Sequence, residues 1–275
     1  MTGCRRNKAG ARAVGGADPL GTIDEGANAM PTLWTRMRAE LGDSDAQFRM
    51  AERLRPVDVA AAVPWYRRAA RQGHVAAQTM LAFLLANGIG VPPDPRRAVS
   101  WYRRAAAKGD VGAQNNLGFM HEHGAGVPCD PAKAALWYRL AALQHSAPAQ
   151  VNLALLLLDG RGVDRDEAEA VRWLRAAAEQ GHPAAQFRLG LCLREGVGID
   201  RDPAEAALWL QAAAAAGDRE ALTALAELRQ TTPPLRTGDG EGAGDGEGEE
   251  DAMEWRHQVE RRPMRSVHAE AMPPG

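Results

Sequence analysis

The most metal-like string in this 275-residue sequence is His121-Glu122-His123. Two imidazoles and a carboxylate could ligate zinc or iron, but residues two apart on a helix point about 200° apart. No HExxH spacing follows, so the string reads as polar residues at a loop end. The three cysteines, Cys4, Cys129 and Cys192, are widely scattered and spell no CxxC knuckle. Cys192 falls on an apolar helical face, as a small buried hydrophobe does. The four short loops Gly88-Ile89-Gly90-Val91, Gly124-Ala125-Gly126-Val127, Gly160-Arg161-Gly162-Val163 and Gly196-Val197-Gly198-Ile199 have too few glycines to cradle a dinucleotide, and they follow helices instead of strands. The acids that recur after them, Asp94, Asp130, Asp166 and Asp202, sit where N-cap carboxylates belong, three of them just before a proline. Asp166 with Glu169 and Asp202 with Glu205 have the spacing of capping boxes. No catalytic residue, cofactor site or metal site is expected.

These loops punctuate a period. Trp65, Trp101, Trp137, Trp173 and Trp209 stand 36 residues apart, and Trp34 joins the frame 31 residues before Trp65, in a first unit shortened by five residues. Each tryptophan opens a phrase such as Trp101-Tyr102-Arg103-Arg104-Ala105-Ala106. Eight residues on comes Gly73, Gly109, Gly181 or Gly217, with His145 as the exception. A second phrase alternates with it: Ala77-Gln78-x-x-Leu81-Ala82, then Ala113, Ala149 and Ala185 in the same setting. Both phrases carry apolar residues at i, i+3, i+4 and i+7, the spacing of amphipathic helices. Each unit is therefore a helix pair, with the recurring tryptophan assigned to its core. The first glycine of each loop suits a left-handed C-cap, and the second frees the chain to reverse. Pro64 should kink the first tryptophan helix.

A unit reading A-x-x-x-L-G/A, G-x-G-V, then A-x-x-W-Y-R-x-A-A-x-x-G resembles the Sel-1-like repeat family, relatives of the tetratricopeptide repeats. The resemblance spans about Trp34 to Arg229. It implies an all-α fold, a right-handed superhelical solenoid of five to six helix pairs over residues 31–230. It also implies a non-catalytic scaffold or adaptor that binds a protein or peptide. Some cysteine-rich relatives have been assigned β-lactamase or penicillin-binding activity, so the alternatives are a hydrolase or a polyanion- or envelope-associated role. This chain lacks their paired cysteines, and no serine begins an S-x-x-K motif.

In the tetratricopeptide relatives the first helix of each unit lines a concave groove. By that resemblance the partner-binding residues are Phe83, Asn115, Phe119, Glu122, Val151, Leu155, Phe187 and Leu191. Phe83, Phe119, Leu155 and Leu191 form an apolar ladder that either packs between units or anchors an amphipathic or extended peptide. Arg67, Arg103, Arg139 and Arg175 recur beside the tryptophans, as a solvated face or as an electrostatic contact.

With 33 basic and 35 acidic side chains the net charge is −2, so no polyanion-binding surface overall and no nucleic-acid partner are expected. The longest strongly apolar run, 153–158, is far short of the roughly 20 residues of a membrane helix, and the first thirty residues have no signal-like apolar core. A cytoplasmic protein without membrane insertion is expected. Residues 1–30 and 231–275 read as disordered tails. The second holds seven acids and six glycines in 238–251, which could fold back over the arginines, and a short basic segment at 254–265.

Overall fold

The computed structural model describes residues 32–231. Every regular element among them is a helix: α1 (Thr32–Glu40), α2 (Ser44–Leu54), α3 (Val59–Arg71), α4 (Val75–Asn87), α5 (Pro95–Ala106), α6 (Val111–His123), α7 (Pro131–Ala142), α8 (Ala147–Asp159), α9 (Glu167–Glu179), α10 (Pro183–Glu195), α11 (Pro203–Ala215) and α12 (Arg219–Thr231). The expected tails, including the acidic run 238–251 and the basic stretch 254–265, lie outside the described residues. The chain divides into two compact units, Met1–Leu225 and Ala226–Gly275. Of the second, the described part is the helical stretch 226–231. Within the first, α2 to α10 each pack against the helix before and the helix after, the arrangement of an α-solenoid of helix pairs. Among the described residues no helix is long and apolar enough to cross a membrane.

The sequence punctuation acts at both ends of the helices. Asp94, Asp130, Asp166 and Asp202 cap α5, α7, α9 and α11 by accepting from the N–H three residues on, at 2.7 to 3.0 Å. The two expected capping boxes are only half made, because Glu169 and Glu205 turn their carboxylates to other partners. Pro64 does not end its helix, and α3 runs through it. Gly88, Gly124, Gly160 and Gly196 end α4, α6, α8 and α10 in the left-handed conformation, with φ between 63° and 76°. His145, in a glycine's place, is the one described non-glycine residue with positive φ, at 63°.

The second loop glycines do more than reverse the chain. A Cβ on Gly126 would lie 2.4 Å from the Pro95 carbonyl carbon, and one on Gly162 2.3 Å from that of Pro131. On Gly198 it would meet the Glu167 carbonyl oxygen at 2.3 Å, and on Gly90 it would meet the start of α3 at 2.8 Å. Each loop is seated on the first residues of the tryptophan helix one unit earlier, at a distance only glycine allows.

The core differs from the expectation in one respect. Tyr66, Tyr102, Tyr138, Leu174 and Leu210 are the large enclosed side chains of α3, α5, α7, α9 and α11, each at most 2% exposed, among fully buried alanines. The tryptophan before each is half-buried, packing against the core from its edge, and Trp34 on α1 is 60% exposed. On α5 the buried stripe is Ala98, Val99, Tyr102, Ala105 and Ala106. Trp101, a hundred degrees back from Tyr102, falls on its border. The small residue of the other helix admits these side chains: a Cβ on Gly118 would meet the Tyr138 ring at 2.5 Å, and one on Gly190 the Leu210 side chain at 2.8 Å.

A buried amide stitches the pairs together. Gln47, Gln78, Gln114, Gln150 and Gln186 each donate to a carbonyl eight residues earlier, at 3.0 to 3.4 Å. These acceptors lie in the last turns of α1, α3, α5, α7 and α9, where helical carbonyls lack a partner of their own. The side-chain oxygens of Gln47, Gln114 and Gln150 accept in turn from Gln72, Gln144 and Gln180 at 2.7 to 2.9 Å. Lys108 interrupts this series. Its ammonium goes to the Gly73 carbonyl, and the buried Gln78 Oε1 is left without a donor.

Candidate functional site

The eight expected partner-binding residues occupy α4, α6, α8 and α10, the first helices of four consecutive units. The apolar four, Phe83, Phe119, Leu155 and Leu191, are all half-buried at the same place in their helices. Four residues beyond each stands an exposed polar side chain: Asn87, His123, Asp159 and Glu195. The His123 ring stacks on Phe119 with centroids 4.1 Å apart, and the Asn87 amide donates to the Phe83 carbonyl at 2.9 Å. Phe187 and Val151 are buried more deeply, at 9% and 7% exposure. The structure thus leaves a broken apolar strip with a polar margin.

The polar members are engaged inside the molecule. Asn115 is buried, and its Oδ1 accepts from Asn152 on α8 at 3.2 Å. Glu122 accepts from the Tyr138 hydroxyl at 2.9 Å and from Arg161 at 2.8 Å. These bonds join α6 to α7, α8 and the loop after α8, so both residues hold neighbouring elements together. Burial and the adjacent Glu122 carboxylate push the Tyr138 phenol well above its usual range. The hydroxyl stays protonated and remains a donor.

The His121-Glu122-His123 string lies in the last turn of α6, not at a surface loop end. His121 is buried, and burial lowers its pKa below the ordinary histidine value. Glu122 is half-buried and His123 exposed. Among the described residues no three His, Cys, Asp or Glu side chains gather as a metal-binding set. Cys192 is free and buried, and burial pushes its thiol up to about 11, so it is a poor thiolate nucleophile.

The arginine series, ambiguous in the sequence, splits. Arg139 pairs with Glu169 at 2.7 Å, and Arg175 pairs with Glu205 at 2.5 Å through one nitrogen and 3.2 Å through another. The same two carboxylates accept from Trp173 and Trp209 at 3.0 and 2.9 Å. Each acid clasps one unit's arginine and its own unit's tryptophan. The Arg175 hydrogen bond, against a desolvation cost, holds the Glu205 carboxyl below its usual range. For Glu169 burial works the other way and is outweighed by Trp173 and Arg139. Arg67 and Arg103 have no such acid, since the equivalent positions are Arg97 and Lys133. Sequence reasoning missed this clasp and the glutamine series, although both repeat with the period. An amide recurring on an apolar face was the available signal.

Helix pairs capped by left-handed glycines, seated on one another every 36 residues, define a helical-repeat protein. Five consecutive Sel1 repeats match residues 44–74, 75–110, 111–146, 147–182 and 183–218, and the chain belongs to the Sel1 repeat family. Among solved structures it is similar to a protective antigen of uropathogenic Escherichia coli strains that displays an SLR fold. The identity is 36%, the TM-score 0.70, and the match covers 73% of this chain but only 44% of that longer one. It is also similar to a Sel1 repeat protein from Oxalobacter formigenes, with 26% identity, a TM-score of 0.64, and 84% and 88% of the two chains covered. No curated protein matches the chain.

Proposed function

We propose that this chain is a non-catalytic scaffold or adaptor, acting in the cytoplasm, that binds a partner polypeptide along the exposed edge of α4, α6, α8 and α10. The strip of Phe83, Phe119, Leu155 and Leu191 carries this reading. It sets four half-buried apolar side chains at equivalent places in successive units, each followed by an exposed polar one. Such a strip offers apolar anchors with a hydrogen-bonding margin, as helix-in-groove recognition requires. Asn115, Glu122, Val151 and Phe187 lie on the same helices, buried or engaged within the molecule. Membership of a helical-repeat family is in keeping with a scaffold.

The test is affinity capture from the native host with the full chain and with Phe119→Asp in parallel. A variant with unchanged helical circular dichroism that loses a specific protein supports the reading. If it keeps every partner, the strip is not the binding site; if it unfolds, Phe119 belongs to the packing between units.

A further inference from the structure

One tryptophan helix carries an apolar ridge on its outside. Leu136, Leu140 and Leu143 lie at i, i+4 and i+7 along α7 and its C-cap, and are 64%, 47% and 63% exposed. With Lys133, Trp137 and Arg139 they line an open groove of about 470 Å³. The ridge is peculiar to this unit. At the equivalent positions α5 and its C-cap have Ser100, Arg104 and Ala107, and α9 has Arg172, Ala176 and Glu179. Nothing in the family period calls for three leucines in water, and an exposed apolar cluster of this kind marks an interaction site.

The surroundings say what covers it. Helices α3, α5 and α7 contain no acidic residue at all, while α9 holds three and α11 one. The N-cap acids Asp94 and Asp130 pair with Arg97 and Lys133. Arg96, Arg103 and Arg104 on α5 have no described carboxylate partner, and Arg104 lies over the Trp101 ring at 4.7 Å. Arg103 on α5 and Lys133 in the groove wall both act on the charge of His121, so the ridge lies near cations of α5 that no described carboxylate offsets. We propose that the outer face of α5 and α7 docks an acidic amphipathic helix of another protein. Its apolar stripe lies along Leu136, Leu140 and Leu143, and its carboxylates meet Arg103 and Arg104. A nucleic acid would use the arginines but gain nothing from the leucines, since phosphate contacts bury no apolar surface. This surface is distinct from the strip on the first helices and stands whether or not that strip binds.

The probe is a fluorescein-labelled helical peptide with leucines at i, i+4 and i+7 and glutamates along one flank, titrated by anisotropy against the full chain. The parent binds, and added salt weakens binding. Leu140→Asp and Arg104→Glu each lower affinity about tenfold or more, as loss of an anchor at a small interface does. Leu143→Ser, at a still more exposed position, repeats the loss with no change in circular dichroism. The proposal is overturned if the peptide does not bind at low salt, or if Leu140→Asp binds it as the parent does. It also fails if single-stranded DNA of matched charge binds as tightly without needing Leu140. A parent that sediments as a dimer, converted to monomer by Leu140→Asp, would assign the ridge to a second copy of this chain instead.

Discussion

The tryptophans of α3 and α5 and those of α9 and α11 occupy one place in the period and are used in opposite ways. In the later pair the indole edge donates to a carboxylate that also holds the previous unit's arginine. In the earlier pair no acid is present, and the indole face takes the guanidinium of Arg68 or Arg104 at 4.8 or 4.7 Å. Beneath the ring, the enclosed side chain is tyrosine in α3 and α5 and leucine in α9 and α11. The period fixes where a ring stands. Whether it joins the seam between units or takes a guanidinium depends on the third residue of its own helix, Glu169 or Glu205 in the later pair and Ala61 or Arg97 in the earlier.

The contrast breaks most severely beneath the rings. Tyr138→Ala should cost about 3–5 kcal/mol and Leu174→Ala about 2–5, both read from urea unfolding of the full chain. Trp137→Ala, which removes a half-buried ring, should cost less than Tyr138→Ala. The reverse order would restore the tryptophan to the core. A smaller change sharpens the glutamine series. Lys108→Gln should gain about 1 kcal/mol by giving the buried Gln78 oxygen a donor. A loss of stability would show that the Lys108 bond to the Gly73 carbonyl matters more.

Smaller still is the clasp itself. Glu205→Lys gives α11 the charge that α7 has at Lys133, and it should cost about 0.5–1 kcal/mol, most at low salt, because about a third of each side chain is exposed to water. An equal cost at high salt would point to packing instead. The gentlest probe is pH. Burial lowers the pKa of His74, His121 and His182, so below the ordinary histidine value the unfolded chain binds more protons than the folded one. Stability should decline as pH falls from about 6.5 through the lowered folded values. His121→Gln should flatten that slope, and an unchanged slope would remove His121 from the account.

Much of the fold was legible in the sequence. The 36-residue spacing of Trp65 to Trp209 gave the helix pairs, and the glycines and aspartates gave their ends, because caps and turns are local chemistry. Choosing between Trp101 and Tyr102 was harder. Neighbours on a helix differ by a hundred degrees, less than the ambiguity in placing a stripe's edge. The Arg139–Glu169 pair spans thirty residues and two units, so only the packed array brings it together. Phe119 and Leu155 could be assigned to a face, but their half-burial required the neighbouring helices to be in position. Leu136, Leu140 and Leu143 stand exposed because the packed neighbours of α7 enclose its alanines and Tyr138 instead.

The glycine seats at Gly90, Gly126, Gly162 and Gly198 have a consequence for how such an array can change length. Because every loop rests on a partner one full repeat behind it, adding or removing an intact 36-residue module carries both halves of the contact along. A few residues inserted into a single loop would lift that glycine from its footing. Growth by whole modules is thus permitted, while fractional edits are resisted.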